Sequence, residues 1–156
     1  MQNLINHIFE DTFVGYWLWD TSTSLNSCNP TLLNLLAYPE ADFDASEVFW
    51  HDYLSASDLF AFQNAFEELS QTIEPRNISF KWRLKLPNQE VRYVRAGFRN
   101  LLNDFSVEAV VGSFIDITEE TLQLLDTQKE EKLYQHTSQL GKSGAWEFDF
   151  TKKSFY

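Results

Sequence analysis

Residues 77–86, NISFKWRLKL, carry the strictest pattern in the chain: Ile78, Phe80, Trp82, Leu84 and Leu86 alternate with Ser79, Lys81, Arg83 and Lys85. A period of two predicts a β-strand with one buried face and one wet face. Pro87-Asn88-Gln89-Glu90 then predicts a hairpin turn. Residues 91–101 form the next strand, with a change of phase near Gly97 that predicts a bulge. Asn103 to Ser106 turns the chain again, and residues 107–117, VEAVVGSFIDI, complete a three-stranded antiparallel meander.

The preceding half mixes both periods. Residues 2–12 place Leu4, Ile5, Ile8 and Phe9 on one side of a short helix. Gly15 breaks that pattern. The aromatic run 16–21, YWLWDT, predicts a strand, and 25–28 its return after a turn. Asn29-Pro30 suits the cap and first position of a helix that carries Leu32, Leu33, Leu35 and Leu36 and ends near Tyr38-Pro39. The acidic stretch 40–46 reads as a loop, and 47–53 as one or two helical turns. Ser57-Asp58 opens the clearest helix, where Leu59, Phe62, Phe66 and Leu69 recur at helical spacing to about Gln71, and Glu74-Pro75 ends it.

Past Asp116-Ile117-Thr118 the character changes. Residues 119–139 hold no Gly or Pro and are rich in Glu, Gln, Leu and Lys, which predicts a helix of roughly 30 Å. Asp116 and Glu119 have capping-box spacing, and Thr118 is an alternative cap. Leu122, Leu125, Leu133, His136 and Leu140 make an uneven stripe interrupted by Lys129, which permits a coiled coil without dictating one.

A repeat organises the whole. Gly15-Tyr16-Trp17-Leu18-Trp19-Asp20 recurs as Gly144-Ala145-Trp146-Glu147-Phe148-Asp149, at a spacing of 144 − 15 = 129 residues. That period is one domain plus one connecting helix. The expected organisation is an amphipathic helix at 1–12, a domain at 13–118, a linker helix at 119–141, and the first strand of a second unit at 142–156. The chain is accordingly expected to be part of a longer protein.

Composition narrows the partners. The 156 residues include 23 acidic and 12 basic ones, a formal charge of −11, which argues against nucleic acid and against an anionic membrane. Cys28 is the one cysteine, so an internal disulfide and thiolate zinc clusters are excluded. No apolar run reaches the ~18 residues of a membrane span, and residues 1–10 lack the pattern of a signal peptide. A cytoplasmic location is the expectation. His7, His51 and His136 stand apart from each other and from any nucleophile motif, and the five glycines form no phosphate loop. Glu67-Glu68 and Glu130-Glu131 lie on predicted helix faces as solvated charges. The sequence therefore predicts neither an enzyme nor a metal site.

The order of elements resembles the PAS fold, in the subgroup whose first strand carries Gly-x-Trp-x-Trp-Asp. Gly15, Trp17, Trp19 and Asp20 match that strand. Asn29-Pro30-Thr31-Leu32-Leu33 with Leu36 and Tyr38 resembles the family's Asn-Pro helix. Phe49-Trp50, Leu54 and Asp58 resemble the stretch before the long helix, and Trp82-Arg83 through Arg92-Tyr93-Val94 the paired strands. Gly112 and Asp116-Ile117-Thr118 match the closing Asp-Ile-Thr signature. The likeness covers residues 12–118. Ala37 departs from the usual Gly, Ser55-Ala56-Ser57 from His-Pro-Glu, Pro87-Asn88-Gln89 from Lys-Asp-Gly, and Ser106 from a turn Gly.

The resemblance implies an α+β fold: a PAS-like five-stranded antiparallel sheet with flanking helices and a C-terminal linker helix. It implies a sensory and dimerising module of a bacterial-type signalling protein, a histidine kinase or cyclic-dinucleotide enzyme. Its pocket for a small apolar or amphipathic ligand would be lined by Phe62, Phe66, Trp82 and Phe98. Asp116, Thr118 and Glu119 would relay the ligand state to the exit helix, and Leu4, Ile5, Ile8 and Phe9 would support a homodimer. Haem is disfavoured because helix 58–71 offers no His, and photoactive flavin because the Asn-Cys-Arg-Phe-Leu motif is absent. The alternative is a structural protein–protein spacer with a packed core and no ligand. A ligand carrier or enzyme of helix-grip or lipocalin-like shape would need neither the polar exit helix nor the repeated strand.

Overall fold

The computed structural model describes residues 13–101 and 108–152, with the backbone alone given for 141–152. The leading residues Leu4, Ile5, Ile8 and Phe9, and the turn expected at 103–106, lie outside the described residues. The chain divides into two compact units after Thr118.

The first unit is α+β. Strands β1 (Gly15–Asp20) and β2 (Leu25–Cys28) form a hairpin, and helix α1 (Pro30–Leu35) follows. Two 3-10 turns, Glu40–Asp42 and Phe49–Tyr53, lead into α2 (Ala56–Gln71). Strands β3 (Asn77–Lys85), β4 (Val91–Asn100) and β5 (Ala109–Asp116) complete the unit. All pairings are antiparallel, in the order β2-β1-β5-β4-β3, so the first and last strands meet at the centre.

Side-chain amides fix the joints between these elements. Asn29 is buried: its Oδ1 accepts from Leu32 N (3.1 Å) and Tyr16 N (2.8 Å), and its Nδ2 donates to Val14 O (3.0 Å). It thus caps α1 and ties that helix to β1. Gly15 permits the close approach, since a Cβ there would lie 2.9 Å from Leu32 Cα. Asn100 does the equivalent work after α2. Its Nδ2 donates to the carbonyls of Leu69, Thr72 and Glu74, and its Oδ1 accepts from Arg76 N at 2.7 Å.

Three sequence expectations change. Helix α2 starts at Ala56 rather than at Ser57-Asp58, because Ser55 Oγ accepts from Asp58 N (3.1 Å) and caps it. No bulge occurs at Gly97: β4 pairs with β3 in one register from Val91 to Arg99. The misleading phase came from Tyr93 on the outer face and from polar Asn100, which occupies a buried position. The third change concerns the repeat. Helix α3 (Thr118–Lys152) runs through residues 144–149, where a strand was expected. A lone strand has no neighbour among the described residues to take its backbone hydrogen bonds, whereas a helix satisfies its own.

The core lies between the sheet and the α1–α2 side. Trp50, from the second 3-10 turn, sits at its centre and is 1% exposed. Its ring stacks on Trp82 and Phe98 (centroids 5.6 Å in each case) and meets Trp17 (5.4 Å) and Phe62 (4.9 Å) edge-on. Aromatic pairs at these separations favour such tilted and offset geometries.

Candidate functional site

Period two places Trp17 and Trp19 on the same face of β1, and helical spacing places Phe62, Phe66 and Ser70 on one face of α2. Between them lies a cleft of 340 Å³, lined also by Val48, His51, Gln63 and Glu67. Its floor is aromatic: Phe66 lies 5.1 Å from Trp19 and 5.2 Å from Phe62 by ring centroids. Exposed Gln63 and Glu67 supply polar groups at the rim. Trp17 is held firmly, since its Nε1 donates to Asn26 Oδ1 at 2.7 Å and Asn26 donates in turn to Ala45 O. The volume sits at the small end of ligand-binding cavities.

His51 is the one ionisable ring on this surface. It packs edge-on against Trp50 (4.5 Å), and its Nε2 is buried without a hydrogen-bond partner. Burial lowers its pKa, while the neighbouring Asp52 carboxylate works weakly in the opposite direction. The imidazole is therefore neutral at pH 7. Trp50 Nε1 and Trp82 Nε1 are likewise buried and unpaired. Cys28 is inert: burial, and secondarily the Glu40 carboxylate, push its thiol up to about 12.

Of the four pocket residues expected from the sequence, Phe62 and Phe66 line the cleft. Trp82 and Phe98 do not. They stack on Trp50 and fill the centre of the core. Trp17, Trp19, Val48 and His51 were not foreseen, because which strand lies against α2 depends on sheet order. The Trp-x-Trp spacing was the available signal.

Asp116 and Thr118 meet at the end of β5. Asp116 Oδ1 accepts from Thr118 N at 2.9 Å. Thr118 Oγ1 accepts from Tyr93 N at 2.9 Å, and Ile117 N donates to Tyr93 O at 2.8 Å. The Thr118 side chain thus extends the β4–β5 ladder past the last strand residue. Glu119 is exposed in the first turn of α3, where its charge suits the helix N-terminus. Among the described residues no group of three or more His, Cys, Asp or Glu is placed to hold a metal ion, and no helix is long and apolar enough to cross a membrane.

A five-stranded antiparallel sheet of this order, with helices flanking it and a helix leaving its central strand, is the fold of PAS and LOV sensor domains. Solved structures agree. The chain is similar to a sensory box histidine kinase/response regulator from Burkholderia thailandensis (TM-score 0.61, 12% identity, 87% of this chain and 99% of that one). It is similar to the N-terminal domain of a diguanylate cyclase with PAS/PAC sensor from Marinobacter aquaeolei (TM-score 0.55, 19% identity, 69% and 98%). A LOV protein of Rhodobacter sphaeroides also superposes (TM-score 0.58, 16% identity, 74% and 67%). No family model and no curated protein matches the sequence.

Proposed function

We propose that this chain is a sensory module of a multidomain signalling protein, which binds a small apolar or amphipathic ligand in the Trp17–Trp19–Phe66 cleft and passes its state to α3. The observation that carries the reading is the continuity from cleft to helix. Trp17 pairs across the sheet with Gly112 of β5, and a Cβ at Gly112 would lie 3.1 Å from the Trp17 ring and 2.9 Å from Phe98. The indole thus lies directly over β5. Four residues on, β5 ends at Asp116, and α3 begins at Thr118. A ligand that shifts Trp17 acts on the strand that becomes the helix. Such a signal needs two states of similar free energy with different ligand affinity.

The module acts by binding rather than catalysis, beside further signalling domains of its parent, a reading supported by its likeness to the N-terminal domain of a diguanylate cyclase. Pairing of α3 with a second copy is supported by Leu122, Leu125, Leu133 and Leu140, all exposed along one unbroken helix. A flavin or haem fits this interior poorly. Trp50, Trp82, Phe62 and Phe98 already occupy the centre with rings 5–6 Å apart.

That filled centre also favours a second reading, a protein–protein spacer without a ligand. Native mass spectrometry of the purified chain separates the two. A sensor retains a small-molecule adduct that Phe66→Trp, which fills the cleft, abolishes while circular dichroism is unchanged. An adduct-free chain that binds no apolar fluorescent probe in the cleft supports the spacer.

A further inference from the structure

Charge is segregated along this chain. Residues 1–75 contain twelve Asp and Glu and neither Lys nor Arg, whereas residues 76–99 contain seven Lys and Arg and one Glu. The fold turns that segregation into two surfaces. Lys81, Arg83 and Lys85 of β3 and Arg95 of β4 are all exposed on the outer face of the sheet, away from the core. Side chains two apart on a strand are spaced by roughly 7 Å, so the β3 row alone spans about 14 Å.

Among the described residues no acidic side chain pairs with these four cations. The neighbouring arginines are engaged elsewhere, Arg76 with Glu68 and Arg92 with Glu90 and the end of α1. Lys81 and Arg95 are direct cross-strand partners, and like charges opposite one another destabilise a sheet. An anionic partner on this face relieves that repulsion.

The chain carries such a partner surface itself. Glu40, Asp42, Asp44, Glu47 and Asp52 are exposed on the segment between α1 and α2. The Tyr38 hydroxyl donates to Asp42 O at 3.0 Å, and its pKa rises through desolvation and through the fields of Asp42, Glu47, Asp44 and Asp52. This segment packs on the core side of the sheet, where Phe43 and Phe49 join the aromatic core. The acidic and basic surfaces therefore belong to opposite faces of the unit and cannot neutralise each other within one molecule.

We propose that the basic outer face of β3–β4 docks the acidic 40–52 segment of a second copy, in a head-to-tail contact. Its geometry is heterologous, so it joins successive copies rather than closing a two-fold pair. Nucleic acid fits the face less well. The net charge of −11 opposes a polyanion, and half-buried Tyr93 opposite Arg83 gives these four cations one aromatic neighbour instead of the successive stacking platforms that single strands use. The contact is independent of the ligand reading above and of any pairing through α3.

A zero-length carbodiimide cross-linker, which joins an amine to a carboxylate in direct contact, tests the contact on a 1:1 mixture of isotopically light and heavy full-length chain. The expected products join Lys81 or Lys85 to Glu40, Asp42, Asp44 or Glu47, carry mixed light and heavy peptides, and fall at least tenfold in 0.5 M NaCl. A charge-reversed face (Lys81→Glu, Arg83→Glu, Arg95→Glu) or a reversed segment (Asp42→Lys, Asp44→Lys, Glu47→Lys) should associate with its own kind more weakly than the natural chain. Mixing the two should restore association by sedimentation. Cross-links confined to single chains, failure of the mixture to recover, or retention of RNA at physiological salt by the natural face would each overturn the proposal. Circular dichroism excludes misfolding as the cause, and the α3 reversal Lys129→Glu, Lys132→Glu should leave these cross-links in place.

Discussion

Thr118 offers the sharpest test of the junction between sheet and exit helix. Thr118→Val keeps the side-chain shape and removes one oxygen. That oxygen is the acceptor for Tyr93 N at 2.9 Å, in a half-buried position where β5 has already ended. The backbone amide of Tyr93 then loses its partner, a penalty of about 1–3 kcal/mol for a buried donor. The neighbouring bond from Ile117 N to Tyr93 O survives, so the damage is local. If the loss falls on local opening, exchange of the Tyr93 amide accelerates between about 5- and 150-fold. Hydrogen exchange followed residue by residue by NMR reads this directly. Amides of the β1–β2 hairpin serve as the internal control, and Thr118→Ser should restore protection. The reasoning fails if Tyr93 exchanges at its original rate. It fails equally if every amide speeds up together, because the valine would then act on global stability and not on the joint.

Two further outcomes follow from backbone and charge. Ala37 has φ 50°, the left-handed region, at the end of α1 where Tyr38 N bonds Leu33 O; Ala37→Gly should raise stability by about 0.5–1 kcal/mol in urea unfolding, since glycine enters that region without strain. His51 has a folded-state pKa depressed by burial, so its contribution is complete above the unfolded value of about 6.5 and is lost as pH falls through the folded one. Thermal melts should show the natural chain losing more stability between pH 7.5 and 5.5 than His51→Phe, which also removes an unpaired buried nitrogen and gains about 1 kcal/mol at pH 7; parallel pH curves for the two proteins would refute this account.

Much of the fold was legible because local chemistry dictates it. The alternation in 77–86 could be satisfied only by a one-face-buried strand. Asn29-Pro30 named its own capping bond, which forms as expected; Asp116 instead accepts from Thr118 N, and Thr118 Oγ1 is engaged with Tyr93 rather than capping α3. What remained hidden was non-local. Trp50 lies in a 3-10 turn, which has no hydrophobic period to betray it, yet it holds the centre of the core. The cleft residues Trp17, Trp19 and His51 converge only after β1 is placed beside β5. Net charge left a further feature unseen: the sum of −11 carries no information about where the fold puts each charge, and so did not reveal the cationic sheet face. Gly144 to Asp149 shows the limit of motif likeness, since the same pattern that makes β1 beside β5 lies within a helix where no neighbouring strand is described.

Gly15 faces Phe114 across the central pair of strands. The polypeptide therefore joins and quits the sheet at one end, within a few residues of the same spot. A unit wired this way has its entry and exit points side by side, so it can be spliced into another chain at a single locus. Gene fusions that insert or excise the whole block between residues 14 and 117 should for that reason disturb a host protein less than a cut at the β3–β4 turn.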